Sequence, residues 1–264
     1  MSALLARAHH LAWRAANRVS PGAAAVYGGV ALGVVSRGGL HAIDQAVYDA
    51  WPAYGGDEHN LRGLFPWEET AIGEYFAGAR RVRVIGAGGG REVLALWQRG
   101  MEVEGYECNP NLRRAAAELL PRHGCDAPVH PIARDAAPAD VAPRDGAIVG
   151  WSAYTLIAGR ERRVELLRGL RRGLPAGAPL LLSFFTRDEG DARALRPARI
   201  ANLARAIAGR ERAEPGDVLA PNFIHRFTRG EVEAEMAAGG FRMQRYEAEG
   251  AGRFDSGWAV GRAE

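Results

Sequence analysis

Glycines 86, 88 and 90 stand in RVRVIGAGGGREVLAL, between a short apolar run and an amphipathic stretch. Glycine accepts positive φ and lets a ligand approach the backbone without a Cβ collision, while a helix start offers N–H donors that the helix itself cannot use. A strand, a glycine turn and a helix in that order commit the chain to an α/β plan. The spacing narrows it further. A nicotinamide or flavin fingerprint needs G-x-G-x-x-G, but the sixth position here is Arg91, so the pattern is G-x-G-x-G and a pyrophosphate site is disfavoured.

From Arg80 onward, short apolar runs alternate with amphipathic stretches, the signature of successive βα units. Strands are expected at RVRVIG (81–86), EVEGYE (102–107), APVHPI (127–132), DGAIVGW (145–151) and APLLLSFF (178–185). A helical excursion over 190–212 precedes FIHRFT (223–228) and a further helix. FRMQRYEAE (241–249) and SGWAVGR (256–262) then read as a hairpin joined through Gly250-Ala251-Gly252. The expected fold is α/β: a Rossmann-like, doubly wound, seven-stranded, mostly parallel sheet with an antiparallel C-terminal hairpin. Residues 1–78 hold only helix-like segments, broken at Ser20-Pro21-Gly22, Gly38-Gly39 and Gly55-Gly56-Asp57, and read as an N-terminal helical cap on a domain spanning 79–264.

Glu107 ends the second expected strand, 21 residues after Gly86, where an acidic side chain can accept hydrogen bonds from both hydroxyls of a ribose. With these residues in view, the chain resembles the class I S-adenosylmethionine-dependent methyltransferase family over residues 80 to 262. GAGGGREVLAL is similar to that family's first motif, GYECNPN to its acidic second motif, and Asp135 in ARDAA to its third-strand adenine contact. The resemblance implies S-adenosylmethionine as cofactor, held by Gly86, Ala87, Gly88, Gly90, Glu107, Cys108 and Asp135. It also implies that GWSAYTLI, with Trp151 and Tyr154, borders the methionine moiety. DGAIVGWSAY stands where N-P-P-Y would mark methylation of exocyclic amino groups of bases or of glutamine.

Methyl transfer from a sulfonium is an in-line displacement that needs alignment, and a base only where the acceptor loses a proton. His225 is the leading candidate base, because its reference pKa suits proton removal near neutrality, and His59 is second. Tyr54, His59 and Trp67, in the loop before the core, are candidate acceptor contacts. They should lie near the carboxyl ends of the strands, where an N-terminal cap could close over the ligand. No group of His, Asp and Glu shows metal-ligand spacing, so the reaction is expected to be metal-independent.

All 34 basic residues are Arg, which excludes Schiff-base and P-loop lysines. They are interleaved with 31 acidic residues and form no tract that would track a phosphate backbone, so no nucleic-acid partner is expected. Two scattered cysteines, Cys108 and Cys125, fit a reducing cytoplasm. Val19 to Ser36 carries no charge, but Pro21 and four glycines argue against a membrane span, and the segment reads as a packed, Ala-rich helix with no membrane partner. A small-molecule or peptide acceptor is expected, with oxygen preferred over nitrogen, and the N-terminal helices leave room for a homodimer. The competing readings are a non-catalytic partner protein on the same fold and, behind it, a nicotinamide-dependent oxidoreductase.

Overall fold

A computed structural model describes residues 2–139, 142–249 and 256–264. Three helices come first: α1 (Ser2–Val19), α2 (Pro21–Val34) and α3 (Arg37–Asp49). A short 3-10 turn (Pro52–Gly55), the single turn α4 (Asp57–Asn60) and α5 (Pro66–Tyr75) lead to β1 (Arg81–Ile85). Helices and strands then alternate through α6 (Arg91–Trp97), β2 (Glu102–Glu107), α7 (Pro110–Arg122), β3 (Val129–Pro131), β4 (Gly146–Val149), α8 (Arg160–Arg172) and β5 (Pro179–Thr186). The remaining elements are α9 (Ala192–Ile207), β6 (Asp217–Leu219), β7 (Phe223–Phe227), α10 (Arg229–Ala238), β8 (Phe241–Glu249) and β9 (Ser256–Ala263). The expected Gly250-Ala251-Gly252 connection lies outside the described residues.

These elements form two compact units. The larger comprises residues 51–154, 160–184 and 229–264, and the smaller residues 1–50, 155–159 and 185–228. In the larger unit seven strands follow the order β3-β2-β1-β4-β5-β9-β8, with β3 to β5 parallel and β8–β9 an antiparallel hairpin. Parallel strands covered on both faces carry near-continuous apolar runs, and β4 (GAIV) is buried at every position. The core joins Val82 and Val84 of β1, Ile148 of β4 and Leu181 of β5 to Val93, Leu94 and Leu96 of α6 and Leu119 and Leu120 of α7. Ile85 pairs with Tyr106 on one side and Val149 on the other, so the chain leaving β1 turns between the ends of β2 and β4, where the strand order reverses.

In the smaller unit α2 lies against α9. A Cβ at Gly29 would sit 2.9 Å from the Ile200 Cβ, and one at Gly33 would sit 2.9 Å from the Ala204 Cβ, so glycine sets how near the two helices come. Ser20 caps α2 by accepting from the Ala23 amide at 3.0 Å, and Pro21 supplies the first helical residue. β6 and β7 pair antiparallel, and β7 runs parallel to the last two residues of β5. Leu32, Ile43, Leu219 and Phe223 fill this unit's core.

A buried ionic group sits within the larger unit. Arg163 of α8 donates to both oxygens of Glu235 on α10, its Nη2 at 2.6 Å, and the Tyr154 hydroxyl donates to Glu235 Oε2 at 2.7 Å. Glu235→Ala would remove the carboxylate that a buried guanidinium and a buried phenol share, a change that costs about 3–5 kcal/mol in comparable pairs. Chemical denaturation of the variant should show a loss of that size with an unchanged m-value; a loss under ~1 kcal/mol would mean the group is hydrated and replaceable.

Candidate active site

The turn after β1 is built by its glycines in different ways. Gly86, Gly88 and Gly90 take φ of 73°, 56° and 100°, in the left-handed region that other residues avoid. The Gly86 and Ala87 amides donate to the Tyr106 carbonyl at 2.8 and 3.0 Å, which fastens the turn to the end of β2. A Cβ at Gly86 would lie 2.6 Å from Ala153, and one at Gly90 would lie 3.3 Å from Leu120 of α7. At Gly88 a Cβ would meet nothing within 4 Å. That is the open side of the turn.

Glu107, buried at the end of β2, accepts from the Gly88 amide at 2.8 Å and from the Asn109 amide at 2.6 Å, one bond to each oxygen. Each carboxylate oxygen keeps a second lone pair. A ribose diol presented over Gly88 would find its acceptors already fixed by two backbone amides. The residues therefore fit an adenosine-type cofactor: an open glycine, and beside it an acceptor held rigidly by the same turn.

Three residues singled out from sequence come together nearby, joined by a fourth. Trp151 stacks with His59 (centroids 5.9 Å) and meets Tyr54 (6.0 Å) and Phe65 (5.1 Å) edge-on. Asn60 ties this group to the glycine turn: its Nδ2 donates to the Tyr54 carbonyl at 3.1 Å, and a Cβ at Gly89 would come within 2.4 Å of it. Burial lowers the His59 pKa, helped by the Arg91 charge, and keeps the ring neutral at physiological pH. Burial likewise raises the Tyr54 phenol.

Arg91, which breaks the dinucleotide fingerprint, turns inward. Its guanidinium donates to Glu68 at 2.6 and 2.7 Å, to Glu92 at 2.7 Å and to the Gly63 carbonyl at 2.9 Å, and lies 4.0 Å from the Phe65 ring centroid. Glu68 also receives the Phe65 amide, and Glu92 the Trp151 amide at 3.2 Å. Burial pushes the Glu68 carboxyl up to about 7 against the opposing pull of the Arg91 hydrogen bonds. Sequence reasoning missed Glu68, Glu92, Asn60 and Phe65 here. It also missed Ser152, the one described non-glycine residue with positive φ (57°), whose amide donates to Ser183 Oγ at 2.7 Å.

Other expected contacts lie elsewhere. Tyr154, expected to border the cofactor, is wholly buried with its hydroxyl on Glu235. Trp67, an expected acceptor contact, stacks on Trp258 of β9 (6.4 Å) against the core, apart from the aromatic group. Asp135 sits on a turn with Oδ2 4.0 Å from Arg162 Nε, and Cys108 follows Glu107 as a half-buried thiol.

His225 belongs to the smaller unit, on β7. Its Nδ1 lies 2.7 Å from Asp217 Oδ1 of the paired strand β6 and 3.7 Å from Glu214 Oε2, while its Nε2 is buried without a hydrogen-bond partner. A carboxylate that accepts from Nδ1 fixes the ring proton on that nitrogen and leaves the Nε2 lone pair free. Ligand atoms of Glu214, Asp217 and His225 all fall within 4.8 Å of one another, but the nitrogen and the Asp217 oxygen are spaced as a hydrogen bond.

Comparison with solved structures finds the same architecture. An S-adenosylmethionine-dependent methyltransferase from Methanosarcina mazei superposes with a TM-score of 0.60 at 18% identity, over 76% of this chain and 98% of that one. The fold is the one this methyltransferase has. CalS10, an amino pentose methyltransferase from Micromonospora echinaspora solved with S-adenosylmethionine bound, gives 0.55 at 17% identity over 83% and 97% of the two chains. The cyclase SpnF gives 0.56 at 11% identity over 75% and 79%. No protein-family model matches the sequence, and no curated protein does.

The glycine geometry predicts a contrast. Gly89→Ala drives a Cβ into Asn60 and the Tyr54 carbonyl and should destabilise the protein by more than the ~1–2 kcal/mol that left-handed strain alone costs at Gly88→Ala. Urea melts of the two variants would measure it, and the reverse order would mean that Asn60 does not pack on the turn.

Proposed function

We propose that this chain is an S-adenosylmethionine-dependent methyltransferase acting, without a metal, on a small molecule or a modified peptide. The observation that carries the reading is the Glu107 carboxylate locked to the Gly88 amide, on the open side of a glycine turn at the reversal of strand order. The shared fold and the cofactor bound in CalS10 support it. Arg91 argues against a dinucleotide: where the third fingerprint glycine would let helix and strand pack closely, this chain carries a buried ion pair.

S-adenosylmethionine would supply a methyl group activated by its sulfonium charge. Glu107 accepts the ribose hydroxyls, the backbone at Gly88 leaves room for the cofactor chain, and Tyr54, His59 and Trp151 form an apolar, neutral wall that excludes water. His225 is the proposed base for an acceptor that reaches its buried Nε2, with Asp217 holding Nδ1–H and stabilising the imidazolium. A base with a dedicated carboxylate favours a hydroxyl acceptor, whose proton must leave, over an amine, whose lone pair is already free.

Calorimetric titration with S-adenosylmethionine and separately with NADH should give micromolar binding of the first alone. Glu107→Ala should weaken that binding about tenfold or more, as loss of charge-assisted hydrogen bonds does. Unchanged affinity would remove Glu107 from the cofactor site. In an acceptor screen read by S-adenosylhomocysteine release, His225→Ala should lower kcat by roughly a hundredfold or more with cofactor affinity kept. Tight binding without turnover on any acceptor would favour the non-catalytic reading.

A further inference from the structure

The uncharged segment from Val19 to Ser36 remains unexplained by the cofactor reading. It forms α2, and only one side of that helix is packed. Gly28, Gly29 and Gly33 face inward, whereas Val26, Val30 and Val34, one turn apart, are 47%, 50% and 59% exposed. On α9, Leu203 and Ile207 are 72% and 91% exposed. Gly29 meets Pro197 and Ile200, and Gly33 meets Ala201 and Ala204, so contacts advance together and the two helices run parallel. In that arrangement the two exposed stripes lie on the same outer side of the pair, flanking its line of contact.

The charges on α1, α2 and α9 are all of one sign; Asp188, Glu189, Asp191 and Glu211 lie in the connections on either side of α9. The chain has no Asp or Glu before Asp44, and α9 has none, whereas Arg7, Arg14 and Arg18 on α1 and Arg196 and Arg199 on α9 are exposed. Leu4 and Leu11 stand among the arginines of α1, at 79% and 67% exposure. A row of bare aliphatic side chains flanked by arginines, with no acidic residue on the helices that carry it, complements an anionic bilayer surface, where apolar groups enter the acyl boundary and guanidinium groups meet lipid phosphates. In a twofold dimer that closed these helices on their copies the arginines would find no acidic partner on them, and a nucleic acid would leave the valines and leucines without an apolar partner. No described helix is long and apolar enough to cross a membrane, so the geometry is that of lying on one.

We propose that the outer face of α2 and α9 docks this protein on an anionic lipid membrane, with the exposed arginines of α1 adding to the positive charge of the unit that carries it. Co-sedimentation of the full chain with vesicles of phosphatidylcholine, or of equal parts phosphatidylcholine and phosphatidylglycerol, tests this without reference to the cofactor. Binding to the mixed vesicles should exceed that to neutral ones by about tenfold or more, within reach of two surface arginines. It should vanish near ~1 M salt, where the screening length falls to about 3 Å. The double variant L203E/I207E and, independently, R196Q/R199Q should each cut binding about tenfold while melting at the parental temperature. Equal binding to both vesicle types, or to neither, overturns the proposal. So does a concentration-dependent dimer that L203E/I207E dissociates and that does not sediment with lipid, since the occupant is then a second copy of the chain.

Discussion

The candidate site depends on a guanidinium that cannot be left alone. Arg91 is 2% exposed, and an unpaired charge so deep would cost several kcal/mol. Two carboxylates and a carbonyl compensate it, and each carboxylate has a second task. Glu68 receives the Phe65 amide at the start of α5, and Glu92 receives the Trp151 amide just beyond β4. The stretch before β1, the glycine turn and the stretch after β4 are thereby joined through one side chain. The aromatic group of Tyr54, His59, Phe65 and Trp151 holds its shape because the backbones that carry Phe65 and Trp151 are fixed by the same ion pair.

Around that anchor, the glycines divide their labour. Most serve packing: Gly86 makes room for Ala153, Gly89 for Asn60 and Gly90 for Leu120. Gly88 alone of these opens outward, and its amide is the one that Glu107 holds. A glycine-rich turn thus resolves into three close contacts and one open position, and no count of glycines in the sequence could make that distinction.

Much of the larger unit is legible in the sequence for a physical reason. Strands buried on both faces run apolar, and β4 and β5 stand out for that reason between polar turns, while β1 and β2 alternate apolar residues with Arg and Glu; Glu107 is legible because a βαβ unit fixes how far it lies from Gly86. What escaped is what depends on partners distant in sequence. Arg91 shows in the sequence only as the residue that breaks the dinucleotide fingerprint, and its buried role emerges once Glu68, 23 residues earlier, is placed against it. Tyr154 and Trp67 look like ligand-facing aromatics because a ring near a strand end has the same sequence context whether it meets a cofactor or, as here, Glu235 and Trp258. β6, three residues long, carries no periodicity, so Asp217 could not be matched with His225 in advance. Residues 51–78, read from sequence with the helical cap, fold in the larger unit beside the glycine turn, and residues 1–50 group with 185–228.

The same logic explains α2. Its composition invites comparison with a membrane anchor because it has no charge, yet its glycines serve close packing: a Cβ at Gly28 would lie 2.7 Å from the Leu219 carbonyl, and Gly29 and Gly33 admit α9. Each interior glycine costs roughly 0.5–1 kcal/mol of helix stability relative to alanine, a cost that packing must offset. Packing accounts for the inner face only. A solvated outer face would ordinarily carry Glu, Arg or Gln, which favour helix at least as well as valine. Three valines there improve neither helix propensity nor the core they do not touch, and their presence is explained once that face is given an apolar medium to enter.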